Sequence, residues 1–183
     1  MNASFLPSAL KSPRNGSSKD QYNRFAACAA SRFTITEIAR NEIGVRELTG
    51  HNDGRRVEAY LSTVKLRKGQ PWCAAFISWV YAKAGFPKPR SGWSPDLFPP
   101  SRLARSALPG NVAGIYFPDL KRIAHVGLVV EQKGSWVYTI EGNTTVEGNR
   151  EGGGVFKKIR HIRTIHSIAD WVTERRTPQW ENR

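Results

Sequence analysis

The first half of the chain places apolar residues at helical spacing between polar ones. Thr34-Ile35-Thr36-Glu37 is typical of a capping box, in which the two side chains satisfy free backbone N–H groups where a helix begins. Two sets of apolar residues then recur on single helical faces: Ile35, Ile38, Ala39 and Ile43, followed by Val57, Tyr60, Leu61 and Val64. We therefore predict two amphipathic helices, with order beginning at Thr34.

The segment after Trp72 is apolar on nearly every side. A helix running from Cys73 to Ala84 would be buried, because it offers no polar face to solvent. Pro71 fits the first turn, where a missing N–H costs nothing, and Gly85 can end the helix. We predict that this is the central helix of the domain.

Beyond Pro109 the pattern changes to short segments rich in β-branched and aromatic residues. We interpret these segments as strands: Val112–Phe117, His125–Glu131, Ser135–Glu141 and Val155–Arg160, with a last strand or turn at Ile162–Ile168. Helices followed by strands predict an α+β fold with an antiparallel sheet. The predicted organisation is a polar, basic tail over residues 1–33, helical in part at Gln21–Phe33, one domain over residues 34–168, and a basic tail over residues 169–183.

The composition and charge of the chain argue against several classes of protein. Of the 183 residues, 39% are hydrophobic, which is enough for a core and argues against a disordered chain. The net charge of +13 favours anionic surroundings, but its spread along the chain argues against a dedicated nucleic-acid arm. No apolar run is long enough to span a membrane, and the first residues lack the apolar stretch of a signal peptide. Two cysteines and four scattered histidines predict neither a disulfide scaffold nor a structural metal.

Cys73 has the position expected of a nucleophile. A helix N-terminus and a nearby imidazolium both lower the pKa of a thiol, and the thiolate is the reactive form. The alternative is a small buried packing residue, which is what free cysteines usually are. Cys28 lacks these features, so we interpret it as a packing residue.

A histidine and a glutamate are predicted to meet on adjacent strands. Gln132-Lys133-Gly134 suits a three-residue hairpin loop, which places His125 directly across from Glu141 on one face. A carboxylate beside an imidazole raises its basicity, so the ring can exchange protons with a thiol and a leaving amine. Asn143 shares this face and is a further candidate for orienting the ring or donating near the reacting centre. The alternative for residues 141–143 is a polar strand end that enters a turn.

Three separated segments resemble those of a known family. They are similar, in order along the chain, to the CHAP domain of cysteine- and histidine-dependent amidohydrolases and peptidases: Pro71-Trp72-Cys73-Ala74-Ala75-Phe76, His125-Val126-Gly127 and Ile140-Glu141-Gly142-Asn143. The resemblance covers roughly residues 34–160. It implies a papain-like fold, shared with NlpC-type peptidases, in which the nucleophile starts a central helix packed on an antiparallel sheet.

The resemblance also implies roles for the site residues. Cys73 would be the nucleophile, His125 the general base and Glu141 the residue that orients His125, with Asn143 as an additional polar residue. The implied reaction is cleavage of amide bonds in peptidoglycan, as an endopeptidase or an N-acetylmuramoyl-L-alanine amidase, without an organic cofactor. No calcium site is expected, because residues 51–54 offer a single carboxylate.

Three further residues are candidates for substrate binding. Trp72 and Trp93 are candidates for lining a substrate groove, with core packing as the alternative, and Gln70 is a candidate oxyanion donor. Basic residues near the end of the strand region are interpreted as a solvated face: Lys157, Lys158, Arg160 and Arg163.

The expected partner is peptidoglycan, with an immunity or inhibitor protein as a second candidate. We expect neither a specific nucleic acid nor a membrane span. The protein is expected to act in the bacterial cell wall or periplasm. Because the sequence shows no recognisable signal peptide, the protein would require export by lysis or a specialised secretion system. Two alternatives remain open: the same chemistry on another amide or protein substrate, and a basic, non-catalytic domain that binds nucleic acid or cell wall.

Overall fold

The computed structural model describes residues 18–146 and 152–174. These residues form three α-helices and a six-stranded sheet, which confirms the predicted α+β class. The elements are α1 (Ser18–Arg40), α2 (Arg55–Ser62), α3 (Cys73–Lys83), β1 (Leu103–Ala104), β2 (Val112–Phe117), β3 (Arg122–Lys133), β4 (Trp136–Thr144), β5 (Gly154–His161) and β6 (Ser167–Ala169). All strand pairings are antiparallel, as predicted, and the strand order is β1-β6-β2-β3-β4-β5.

The first helix is longer than predicted. α1 runs without a break through Thr34, so the predicted helix start at this residue is wrong. The Thr34 hydroxyl donates to the carbonyl oxygen of Ala30, one turn earlier in the same helix (3.0 Å). The alanines between residues 26 and 30 favour this continuation, because Ala has the highest helix propensity. Within the described residues, no helix is both long enough and apolar enough to cross a membrane.

Arg32 ties α1 to two distant parts of the chain. Its guanidinium donates to the carbonyl oxygen of Pro109 (2.7 Å), to Asn111 Oδ1 (2.8 Å) and to Asp170 Oδ2 (2.8 Å). The Arg32 and Asp170 side chains are each 11% exposed, so their ion pair is largely shielded from water. Positions 32 and 170, which the sequence pattern assigns to the two tails, therefore pack against the domain.

Helix α3 forms the centre of the main core, as predicted. Its residues from Cys73 to Tyr81 are buried, and they pack with α1, α2 and the face of the sheet that carries Val126, Leu128 and Ile140. A smaller apolar cluster covers the opposite face. The helix begins at Cys73, so Pro71 lies just before the first turn rather than within it. Gly85 follows the helix with φ of 84°, a left-handed conformation that suits the predicted stop.

The hairpin between β3 and β4 differs in register from the prediction. Lys133 pairs with Trp136, which leaves a two-residue turn in place of the predicted three-residue loop. A bulge between Val129 and Glu131 then shifts the pairing, and beyond it Leu128 pairs with Ile140. Continued along the strands, this register places Gly127, not His125, directly opposite Glu141. Beyond the bulge the predicted pairing is therefore wrong by two residues, and because this shift is even, His125 and Glu141 stay on the same face.

Gly142 allows α3 to approach the sheet closely. A Cβ atom at this position would lie 2.6 Å from Trp72 Cζ3 and 2.9 Å from Phe76 Cβ. Both distances are shorter than atoms in proteins tolerate, so only glycine fits without a shift of the helix. The start of α3, which carries Cys73, is therefore seated directly on β4.

We expect Gly142→Ala to lower the free energy of unfolding by about 1–3 kcal/mol, because the added methyl group overpacks the contact between α3 and β4. Chemical denaturation monitored by circular dichroism would measure the change. Gly153→Ala is the matched control, since its Cβ would find its nearest atoms at 3.8 Å. Equal stabilities for the two variants would contradict the close approach of the helix to the sheet.

Candidate active site

Cys73 occupies the first position of α3 and is 4% exposed. Its Sγ lies 3.5 Å from the hydroxyl oxygen of Ser94, a buried residue at the start of the 3₁₀ helix Ser94–Leu97. The N–H groups of the first helical turn have no partners within the helix and carry partial positive charge. The thiol therefore meets hydrogen-bond donors that stabilise its ionised form.

His125 links Cys73 to a buried carboxylate. Its Nε2 lies 2.9 Å from Glu141 Oε2, and the two side chains are 1% and 0% exposed. Within the described residues, Nδ1 makes no hydrogen bond of good geometry, which leaves this nitrogen for the interaction with Cys73. The structure thus brings together the three residues predicted for the site, although His125 and Glu141 approach diagonally across the strands.

Glu141 is held by more partners than the sequence analysis identified. The Thr139 hydroxyl donates to Oε1 at 2.6 Å. The Arg160 guanidinium donates from Nε to Oε1 and from Nη2 to Oε2, both at 2.6 Å. Gly127 leaves room for the side chain, since a Cβ atom there would lie 2.7 Å from Glu141 Cγ. The carboxylate is therefore fixed on both of its oxygens.

Arg160 belongs to the site, which corrects the prediction that it lies on a solvated face. Its side chain is 17% exposed, and it approaches Glu141 from β5, the strand next to β4. The sequence predicts this strand but not its register, because the loop between β4 and β5 is too long to set the pairing. Ser94 carries no local signal either, as it lies in the proline-rich connection after α3.

The electrostatics of the site favour an ion pair between thiolate and imidazolium. Burial opposes ionisation of Glu141, but hydrogen bonds and charge from Arg160 and His125 outweigh it and hold the pKa of this carboxyl well below its usual range. Burial also opposes protonation of His125, yet its interactions with Cys73 and Glu141 raise the pKa of the imidazole to about 9. For Cys73, burial raises the pKa of the thiol, but hydrogen bonding and charge from His125 dominate and lower it overall.

A cleft of about 500 Å³ opens beside Cys73. Two of the predicted substrate-binding residues line it: Gln70, which is exposed, and Trp93, which is 50% exposed. Ser94 and Arg122 also line it. A second depression, around Pro109 and Gln132, is lined by neither cysteine nor histidine. The cleft at Cys73, which we call the Cys73 cleft, is therefore the candidate substrate site.

Trp72 lies in the core instead of the cleft. It is fully buried, stacks on Tyr60 with ring centroids 5.5 Å apart, and donates from Nε1 to Glu47 Oε1 at 2.8 Å. This placement corrects its predicted position in a substrate groove. The aromatic ring helps to fix the start of α3, so Trp72 supports Cys73 through packing.

Asn143 holds the chain segment that leads into α3. Its φ of 56° is left-handed, a conformation that Asn tolerates better than most residues. With its amide oriented to satisfy both ends, the oxygen accepts from the backbone N–H of Trp72 at 3.0 Å, and the nitrogen donates to Gly152 O and Asn52 Oδ1. Asn143 therefore orients the backbone next to Cys73 and not the ring of His125.

Metal ligands do not cluster in the described residues, where no group of three or more His, Cys, Asp or Glu side chains could hold an ion. The sole carboxylate of residues 51–54, Asp53, instead accepts hydrogen bonds from the backbone N–H and the hydroxyl of Thr49.

Comparison with known proteins gives no relative for this chain. No protein-family model matches it, and no curated protein or solved structure is significantly similar to it.

We expect Cys73 to react with iodoacetamide at a pH below that of an ordinary thiol, because His125 lowers its pKa. The alkylation rate should rise as the thiolate forms and then level off, because loss of the His125 proton near pH 9 leaves the thiolate in place. His125→Gln removes the imidazolium but leaves the burial, so the rate at about pH 6 should fall by about tenfold or more. Mass spectrometry of the modified peptides would measure it, with Cys28 as the internal comparison. An unchanged rate in His125→Gln would contradict the ion pair.

We expect Arg160→Gln to lower the free energy of unfolding by about 1–3 kcal/mol at neutral pH, because Glu141 loses its bidentate partner. The folded state lowers the pKa of Glu141 from 4.5, so its stabilisation is present above about pH 4.5 and is lost as the pH falls. The stability difference between wild type and variant should therefore shrink in acid, as urea unfolding at several pH values would show. Arg163→Gln, which removes an exposed charge nearby, should change stability by less than about 0.5 kcal/mol. A difference that does not vary with pH would contradict the role of Arg160.

Proposed function

We propose that this protein is a cysteine-dependent hydrolase that cleaves amide bonds in the peptides of bacterial peptidoglycan. The observation that carries the proposal is the buried pair of His125 and Glu141 beside Cys73, at the edge of an open cleft. A structural cysteine has no need of a neighbouring imidazolium, whereas a nucleophile does.

The geometry supports a two-step mechanism. The Cys73 thiolate attacks the amide carbonyl carbon, and the first-turn N–H groups of α3 are placed to stabilise the resulting oxyanion. His125 gives its proton to the nitrogen as the C–N bond breaks, which releases an amine and leaves a thioester on Sγ. His125 then takes a proton from water, whose oxygen attacks the thioester and releases a carboxylic acid. Glu141 stays ionised throughout and balances the positive charge of the ring.

The choice of peptidoglycan rests on two further arguments. The three motifs of the site resemble those of CHAP domains, and α3 on an antiparallel sheet agrees with the papain-like fold that we propose with them. The net charge of +13 would hold the protein near anionic polymers of the cell envelope, which suits action in the cell wall or periplasm.

Digestion of purified sacculi from several wall types tests the proposal. We expect the wild-type protein to release fragments whose new ends, identified by mass spectrometry, define the amide bond that is cut. Cys73→Ser should release none, while Cys28→Ser should retain the wild-type pattern because Cys28 lies outside the site. If the wild type with a verified reduced thiol releases no fragments from any wall type, peptidoglycan is not the substrate, and other amides become the candidates.

A further inference from the structure

One wall of the Cys73 cleft carries a cation that the reaction itself does not use. Arg122, the first residue of β3, lines this cleft together with Trp93. Its guanidinium carbon lies 4.0 Å from the centroid of the Trp93 ring. A planar guanidinium stacked on an aromatic face keeps its N–H groups at the edge, where they remain able to bind an acceptor.

Arg122 has no carboxylate partner among the described residues. Its Nη1 donates to the carbonyl oxygen of Ile123 at 3.2 Å, and no salt bridge joins it to a described acidic side chain. No Asp or Glu lines the cleft. By contrast, Arg32 and Arg160 are both bound to buried carboxylates. Arg122 is therefore a positioned cation without a carboxylate partner among these residues.

Trp93 restrains this cation in place. Its backbone N–H donates to Ser91 Oγ at 3.0 Å, and its carbonyl oxygen accepts from the backbone N–H of Asp96. The ring is half exposed, so it offers apolar surface to a ligand as well as a platform to Arg122. A restrained guanidinium loses less conformational entropy when it binds, which favours specific recognition.

The position of Arg122 sets how far the ligand group lies from the reacting carbonyl. Arg122 precedes His125 by three residues on β3, which corresponds to at most about 10 Å of strand, because the pairing with β2 is irregular between Ile123 and His125. An extended peptide advances about 3.3–3.6 Å per residue. A group bound to Arg122 would therefore lie at most about three residues from the scissile amide, on the same substrate chain.

We propose that Arg122, stacked on Trp93, forms a subsite for a carboxylate of the substrate peptide, and that this contact selects acidic over amidated peptides. The inference rests on the proposed function, since it assumes that the Cys73 cleft receives a peptide. A carboxylate matches the fork of a guanidinium with two parallel hydrogen bonds, whereas a neutral amide offers one acceptor and repels with its N–H₂. The contact therefore discriminates between the two without taking part in bond cleavage.

A binding measurement tests the subsite separately from the chemistry. The probes are a synthetic stem tetrapeptide with all carboxylates unmodified and the same peptide with all carboxylates amidated. Isothermal titration calorimetry with Cys73→Ala measures both affinities while preventing turnover. We expect the acidic peptide to bind about tenfold more tightly, in line with a charge-assisted bidentate contact.

Substitutions in the Cys73→Ala background assign that preference to Arg122. Adding Arg122→Gln should bring the two affinities to within about twofold of each other, and adding Trp93→Leu should reduce the preference in part. Arg105→Gln is the matched control, because Arg105 is exposed and does not line the cleft. Its preference for the acidic peptide should stay at the level of Cys73→Ala.

Three outcomes would overturn the subsite: an unchanged preference in Arg122→Gln, no preference in Cys73→Ala itself, or no binding of the acidic peptide at millimolar concentration. None of them bears on catalysis, which the sacculus digestion decides. A preference that depends on Arg122 would support the subsite even if the wild-type protein released no fragments. In that case the peptide cut by the protein would be sought among other acidic amides.

Discussion

The ionised carboxylate of Glu141, buried completely inside the sheet, is the constraint on which the site depends. Transfer of a charge from water to a protein interior costs several kcal/mol unless hydrogen bonds and an opposite charge replace the lost hydration. Thr139, Arg160 and His125 provide that replacement, and each is positioned by a different part of β3, β4 or β5. A shift of any of these strands would leave the charge less compensated. The contacts that compensate the charge of Glu141 therefore favour this strand register and also hold the His125 imidazole in place.

Close packing also fixes the position of the Cys73 nucleophile relative to the sheet. Gly127 leaves the space that Glu141 fills, and Gly142 lets α3 settle on β4. Asn143 fixes the backbone of Trp72, so the start of α3 is held from the sheet side as well as by core packing. These contacts leave little freedom at Cys73. The site can therefore maintain a thiolate beside an imidazolium before any substrate enters, which is the preorganisation that nucleophilic catalysis requires.

The arginine side chains of this protein lie in two different electrostatic environments. Arg32 and Arg160 neutralise buried carboxylates and are bound to them in the folded protein. Arg122 faces the cleft on an aromatic platform, and its guanidinium edge is open to a ligand. All three contribute equally to the net charge of +13. That sum favours anionic surroundings in general, whereas the proposed selection among peptides depends on the position of a single residue.

Local patterns were sufficient for the class of the fold and for the three central residues of the site. Helical spacing predicted α2 and α3, and strand alternation placed His125 and Glu141 on one face, a result that survives an even change of register. The contacts between distant segments could not be predicted from such local patterns. Arg160 reaches Glu141 only because β5 pairs with β4 in one register, and Arg32 extends α1 into the domain by binding Asp170. Trp72 and Trp93 look alike in the sequence, yet one is core and the other lines the cleft. The sequence by itself determined which side chains share an element and a face, because that follows from backbone periodicity. The tertiary structure decided which elements meet, because that depends on burial, charge compensation and packing summed over the whole chain.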